Sequence, residues 1–100
     1  MNEWPLLSPD KLKEIKKIRE NNLWRFDRFP GNLNMLFMSK NIGSNACKMI
    51  IYIKSMTVCL IVKSAVYGTT IVYRRDITKH GLNYIMAKPL TWIFADRKKK

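Results

Sequence analysis

The chain has 100 residues, 47% of them hydrophobic and 11% aromatic, which is the composition of one folded domain and excludes a disordered chain. Nineteen Lys and Arg against seven Asp and Glu give a formal net charge of +12, which indicates a polyanionic or acidic partner. The acids that follow residue 20 are only Asp27, Asp76 and Asp96. Acids this sparse disfavour chemistry that needs clustered carboxylates, such as that of two-metal nucleases and glycosidases.

Metal and cofactor sites are not expected. Cys47 and Cys59 are the two cysteines and His80 is the one histidine, which leaves no ligand set of ordinary spacing. The four glycines stand apart and form no phosphate-binding loop. We therefore expect no metal, no cofactor, and two reduced thiols that serve as small apolar core residues.

The cellular setting is an expectation from composition alone. The first residues lack the basic start and apolar run of a secretory signal, and no uncharged stretch approaches the roughly 20 residues of a membrane span. We expect no membrane partner and a cytoplasmic protein, in the host cytoplasm if the source is viral. Abundant Lys, Asn, Ile and Met are compatible with an AT-rich bacterium or phage.

Residues 8–24 predict the first helix, and Asn21 and Asn22 suit a helix end within this range. Ser8 suits the N-cap, Pro9 the first turn and Asp10 the positive end of the helix dipole. An apolar stripe at three-residue spacing is formed by Leu12, Ile15 and Ile18. The remaining surface carries Lys11, Lys13, Lys16 and Lys17. These lysines suit a phosphate backbone or an acidic protein groove, and they also suit the solvated side of an ordinary amphipathic helix, which is the commoner case.

Aromatic and charged residues alternate over residues 23–29, before Pro30 and Gly31 break the chain. The aromatic members are Trp24, Phe26 and Phe29, and the basic ones are Arg25 and Arg28. Alternation of this kind suits base stacking combined with phosphate contacts. It also suits an edge strand whose aromatic side chains point inward. Trp24 and Phe26 are the stacking candidates of the first interpretation.

Short apolar segments of β composition follow at residues 33–38, 47–53, 57–62 and 70–75, with a turn over 41–45. The segment 57–62 is apolar on both faces, which predicts a strand in the middle of a sheet. It follows 47–53 with almost no linker, so the two segments should form an antiparallel hairpin.

The last quarter of the chain is less regular. Residues 76–82 suggest an irregular or weakly helical segment, and 83–88 a short helix stopped by Pro89. Residues 91–94 fit a last strand or a helical turn. The whole pattern predicts the α+β class, with an N-terminal amphipathic helix packed on a mainly antiparallel sheet of four to five strands. We expect a single domain over 1–96 and a frayed basic tail over 97–100.

A possible catalytic cluster lies within residues 67–80, which hold two tyrosines, two arginines and the histidine. Such groups can cleave RNA without metal, because they supply a base, an acid and a cation. Residues 48–66 resemble the RelE/ParE toxins, which are basic domains of about this length, in the rhythm of strand, tight polar turn and apolar strand. The resemblance implies a metal-independent ribonuclease that uses Tyr73, Arg74, Arg75 and His80.

The hypothesis that the charge favours is a small basic protein that binds nucleic acid through backbone phosphates and is not an enzyme. RNA or single strands are favoured over duplex because of the aromatic residues at 24–29. The candidate contacts are Lys11, Lys13, Lys16, Lys17, Trp24, Arg25, Phe26, Arg28, Arg74 and Arg75. Two alternatives stay open: a phage-type effector or inhibitor that binds an acidic surface of a host protein, and the ribonuclease toxin.

Overall fold

Five strands and three helices make up the residues that the computed structural model describes, which are 4–28, 35–66 and 68–98. In chain order they are α1 (Ser8–Asn21), β1 (Arg25–Arg28), β2 (Met35–Ile42), β3 (Asn45–Tyr52), β4 (Thr57–Ser64), β5 (Gly68–Arg74), α2 (Lys79–Ala87) and α3 (Pro89–Lys98). The predicted α+β class, with an N-terminal helix and an antiparallel sheet, is confirmed.

The sheet follows the order of the chain, β1-β2-β3-β4-β5, with every neighbouring pair antiparallel. The predicted hairpin between β3 and β4 is confirmed, and β4 lies between two partners as its apolar composition indicates. The expected loop over 41–45 shrinks to a two-residue turn, because Ile42 already pairs with Asn45. Gly43 takes a φ of +61° in this turn, a conformation that favours glycine.

Alternation along the strands divides the sheet into two different faces. In β3, Cys47, Met49 and Ile51 are buried, and the residues between them point to the other side. The register extends this buried set across four strands, and we call it the covered face: Leu36, Met38, Cys47, Met49, Ile51, Val58, Leu60, Val62 and Val72. Buried residues from all three helices belong to the same core cluster, so the helices pack on this side.

Helix α1 lies along the covered face from one end of the strands to the other. Ile15 at its centre is fully buried in the core. Near its start, Lys11 Nζ donates to the carbonyl oxygens of Ile53 and Lys54, each at 3.3 Å. Past its end, Lys40 Nζ donates to the carbonyl oxygen of Asn22 at 2.9 Å. These anchors point the opposite side of the helix towards solvent.

The start of α1 differs from the sequence prediction, and its end agrees with one of the two signals in the sequence. The N-cap is Leu7, with no side-chain capping bond, so the expected Ser8 cap is wrong and Ser8 is already helical. The helix ends at Asn21, with Asn22 at the C-cap, and does not extend to residue 24 because Leu23 turns the backbone to a φ of 60°. That turn directs Trp24 back into the core, and the chain then enters β1.

The C-terminal segment is more helical than its sequence suggests. Thr78 caps α2 by accepting a hydrogen bond from the Gly81 N–H at 3.0 Å, so the helix begins four residues before the predicted 83–88 segment. Pro89 ends α2 as expected and also opens α3, where a missing N–H costs nothing in the first turn. Residues 91–94 are therefore helical and not a strand. Residues 97 and 98 of the expected tail end α3, and 99–100 lie outside the described residues.

Candidate nucleic-acid interface

The face of the sheet opposite the helices, which we call the open face, alternates with the covered face in every strand. Its members are Arg25, Met35, Phe37, Ser39, Asn41, Ala46, Lys48, Ile50, Tyr52, Thr57, Cys59, Ile61, Lys63, Thr69, Ile71 and Tyr73. Within the described ranges, all three helices contribute to the core on the other side. Ile71 is 55% exposed and Tyr73 is 56% exposed, so the open face is an accessible surface that contains large apolar side chains.

Aromatic side chains occupy one end of the open face, next to the turn between β3 and β4. Phe37, Ile50, Cys59 and Tyr73 are aligned across four strands by the register. Tyr52 lies two residues beyond Ile50 on β3, towards the turn. We call this group of five residues the aromatic end. It offers flat apolar area, which is unusual on a fully solvated surface.

Tyr73 is aligned with a buried cysteine on the neighbouring strand. This residue, Cys59, is only 1% exposed although it lies on the open face and outside the core cluster. Hydrogen bonding between the Tyr73 hydroxyl and the Cys59 sulfur raises the pKa of Tyr73 above its ordinary value, with smaller contributions from the nearby Tyr52. Tyr73 and Cys59 are therefore neighbours on the open face, where the Tyr73 side chain is exposed.

Cations occupy the other end of the open face, which we call the basic end. Lys48 is aligned with Ser39 and Ile61, and Lys63 with Ala46 and Thr69. The third cation of this end is Arg25, aligned with Ser39, and all three side chains are exposed. Strands β2–β5 contain no Asp or Glu, so no carboxylate on them offsets these charges.

The open face thus combines the two groups that an unpaired nucleic-acid strand requires. Bases stack on aromatic rings whatever their sequence, and phosphates are attracted by lysine and arginine. Both groups stand on rigid β-strands, which fixes their separation. The aligned rows of Tyr73 and of Lys48 are two residues apart along the strands, or roughly 6.7 Å.

The α1 lysines named by the sequence lie on the other side of the molecule. Lys13, Lys16 and Lys17 are exposed on the solvent side of α1, away from the open face. The exposed acids Asp10 and Glu20 lie on the same helix and offset part of this charge. Lys11 differs from them, because its ammonium is bound to the two carbonyl oxygens described above. The helix lysines and the sheet cations therefore do not form one surface.

Trp24 is a correction to the sequence prediction. It is 1% exposed, and its Nε1 donates to the carbonyl oxygen of Met86 at 2.9 Å. A ring enclosed in the core offers no face to a base, so the stacking role is wrong for Trp24. Phe26 is half-buried and points to the helix side, where the guanidinium of Arg19 lies 4.5 Å from its ring centroid. That cation already occupies one side of the Phe26 ring.

The residues proposed for ribonuclease chemistry are not on one face. Tyr73 and Arg74 are consecutive in β5, so their side chains point to opposite sides of the sheet. Arg74 Nη1 donates to the carbonyl oxygen of Tyr73 at 2.6 Å. Arg75 and His80 are exposed, the first just after β5 and the second in the first turn of α2. Arg28 is a candidate for nucleic-acid contact and not for this chemistry, and its side chain lies outside the described residues.

The described part of the chain shows no group of three or more His, Cys, Asp or Glu that could hold a metal ion. Among its helices, none is both long enough and apolar enough to cross a membrane. Both cysteines are buried with free thiols, and burial raises the pKa of Cys47 above its ordinary value. Cys47 belongs to the core cluster, as the sequence indicates, whereas Cys59 is buried on the open face.

Four residues of the open face were missed as candidates by reasoning from sequence: Phe37, Lys48, Tyr52 and Lys63. The signal was present in part, since alternation already places Lys48, Ile50 and Tyr52 on one side of β3. The alternation separates the two faces of the sheet, but it does not show which of them the helices cover. Only the packing of α1–α3 shows that the side with Lys48 stays open.

Comparison of the chain with known proteins gives no matching family model, no matching curated protein and no matching solved structure.

Proposed function

We propose that this protein binds single-stranded nucleic acid on the open face of its sheet. The observation that carries the proposal is that one accessible surface contains an aromatic end, a basic end and, on β2–β5, no carboxylate. Base stacking supplies affinity that does not depend on sequence, and phosphate contacts supply attraction that depends on salt.

Unpaired strands fit this surface better than duplex does. The rings of a duplex are stacked on each other and its edges lie in grooves, so an aromatic surface gains little from them. An unpaired strand can turn its bases onto Tyr73 and Phe37 while its phosphates meet Lys48. The excess of cations over the whole chain, +12 in net charge, adds a long-range attraction for either form.

A second copy of the chain is a poorer occupant of the same face. Two open faces packed on each other would enclose Arg25, Lys48 and Lys63 of both copies in one interface. No carboxylate of β2–β5 could pair with them. Like charges that lose their water at an interface are repelled, so self-association is disfavoured and an anionic occupant is favoured.

The test is fluorescence anisotropy of a labelled oligouridylate and of a labelled duplex DNA, at about 50 and about 200 mM salt. We expect the oligouridylate to bind more tightly, with an affinity that falls steeply with salt. In a plot of log affinity against log salt concentration, each phosphate contacted should add about −0.7 to the slope. Equal and weak binding of both probes would contradict the proposal and would favour the alternative of an acidic protein surface as the partner.

A further inference from the structure

We propose that the bound strand crosses the open face at right angles to the β-strands, with its bases over the aromatic end and its phosphates over the basic end. This inference rests on the proposed function and deepens it by assigning an orientation, a footprint and a base platform. The platform is Tyr73, aligned with Cys59.

The orientation follows from the way the two kinds of side chain are sorted. The rings lie towards the edge of the sheet where β3 turns into β4, and they belong to Tyr52, Phe37 and Tyr73. Lys48 lies one row of aligned residues further from that turn, and Lys63 lies a second row further still. Within strands β2–β5, the division between rings and cations therefore runs across the strands. A nucleic-acid chain also has bases along one side and phosphates along the other, so its axis must follow that division.

The footprint follows from the width of the sheet. Five strands are separated by four steps of about 4.8 Å, which gives a track of roughly 19 Å. A sheet of similar width in other RNA-binding folds accommodates about two or three stacked bases. We therefore expect the open face to contact about three nucleotides. A strand that wrapped around the whole molecule would contact many more.

Tyr73 is the best platform because its side chain is 56% exposed and its backbone belongs to the sheet, where it is aligned with Cys59. A ring that stands on a paired strand is positioned before a base stacks on it. Phe37 and Tyr52 are half-buried among neighbours and offer less free area. Cys59 of β4 is 1% exposed and is aligned with Tyr73 of the edge strand β5, so the two residues are neighbours on the open face.

The first experiment measures affinity against length, with oligouridylates of about two to about twelve nucleotides at low salt. We expect the affinity to rise up to about four nucleotides and then to increase only slowly, as extra positions add statistical weight. A steep rise that continues well beyond about eight nucleotides would overturn the short transverse track, because it would require a longer path around the protein.

The second experiment compares two tyrosines on opposite sides of the molecule. Tyr73→Ala should weaken binding about tenfold, and Tyr73→Phe should stay within about twofold of the parent because the ring remains. Tyr84 of α2 is 41% exposed on the helix side, and Tyr84→Ala should also stay within about twofold of the parent. A larger loss in Tyr84→Ala than in Tyr73→Ala would overturn the assignment.

The third experiment compares two pairs of cations with the same loss of charge. Lys48→Gln combined with Lys63→Gln should weaken oligouridylate binding about tenfold or more. Lys54 and Arg75, exposed beyond the strand ends near the aromatic end, provide the control pair. Lys54→Gln combined with Arg75→Gln should lower the oligouridylate affinity by less than about threefold, since this pair contributes only to the long-range attraction. Equal losses in the two double variants would contradict the orientation.

Photocrosslinking of the unaltered protein keeps the inference testable if a variant fails to fold. An oligouridylate containing a photoreactive uridine should attach to peptides that carry Tyr73, Tyr52 or Phe37, as mapped by mass spectrometry. Attachment at Tyr84 or Trp92 instead would overturn the platform while leaving the proposed function intact. Absence of binding by every oligouridylate at low salt would defeat the proposed function itself.

Discussion

The two faces of the sheet are built from alternate residues of the same strands, and they differ in what closes them. Along β3, Met49 and Ile51 are fully buried under the helices, whereas Lys48 and Tyr52 one residue away face outward. The comparison shows that a strand can supply stability with one half of its side chains and a surface with the other half. Substitutions on the two faces should therefore have separable effects on unfolding and on binding.

The largest expected difference is between two aromatic residues. Trp24→Ala removes a buried ring and its 2.9 Å hydrogen bond to Met86, which should lower the free energy of unfolding by about 3–5 kcal/mol. Tyr73→Ala on the open face should cost less than about 1 kcal/mol, because its ring is already partly in water. Urea denaturation followed by circular dichroism measures both. Equal costs would contradict the division into a stabilising and an exposed face.

A matched pair of isoleucines sharpens the comparison, because the chemistry removed is the same. Ile51 is fully buried, and Ile51→Ala should cost about 2–5 kcal/mol. Ile71 is 55% exposed on the open face, and Ile71→Ala should lower the free energy of unfolding by less than about 1 kcal/mol. The midpoints of urea denaturation, taken at equal slope, check the ranking. A loss at Ile71 as large as that at Ile51 would mean that another layer covers the open face.

The β2–β3 turn tests whether stability can fall while the binding surface is kept. Gly43→Ala places a side chain at a φ of +61°, where an L-residue costs about 1–2 kcal/mol. Nothing lies within 4 Å of the added carbon, so the cost is conformational and no clash follows. We expect a lower melting temperature with unchanged oligouridylate affinity below it. Loss of affinity in the folded variant would show that the turn itself contributes to the interface.

Cations on the two sides should differ in the salt dependence of binding. Lys48→Gln with Lys63→Gln should lower the log–log salt slope by about 1.4, which corresponds to two phosphate contacts with a single strand. Lys13→Gln with Lys17→Gln on α1 removes the same charge from the helix side and should leave the slope within about 0.3 of its original value. Both pairs are exposed and should change stability by less than about 0.5 kcal/mol. A slope that falls only in the α1 pair would place the phosphates on the helix side.

The smallest expected effect is a change in the titration of Tyr73. Cys59→Ala removes the contact that raises the pKa of Tyr73, so the pKa should return towards its ordinary value. Because the pKa is raised in the folded state, the neutral phenol stabilises the fold below its unfolded pKa. That contribution is lost as the pH rises through the folded pKa. Ultraviolet absorbance of tyrosinate, with Tyr73→Phe to identify the signal, measures the shift, and an unchanged titration would deny the contact.

The sequence predicted those parts of the fold that depend on local pattern. The hairpin of β3 and β4 was recoverable because two segments of β composition follow each other with almost no linker. The extent of α2 and α3 was not, because Gly81 and Pro89 are poor helix residues by local preference. Gly81 lies within the capped first turn of α2 and Pro89 in the first turn of α3, where both are tolerated.

For the candidate site, the sequence predicts the chemical class of the partner but not the placement of the residues. The charge of +12 predicts an anionic partner, but the charge does not show which cations share a surface. Trp24 was misplaced because its environment depends on Met86, 62 residues further along the chain. Tyr73 was noticed as a catalytic candidate, yet its position beside Cys59 follows from strand register, which local composition does not fix.

The measurement that tests the central claim most directly is a ¹H–¹⁵N correlation spectrum of the protein titrated with a short oligouridylate. The account predicts that the amide signals of Lys48, Ile61 and Tyr73 shift in proportion to the fraction bound, while those of Lys13 and Lys17 on α1 stay unchanged. Shifts concentrated on α1, with the open face unaffected, would contradict it.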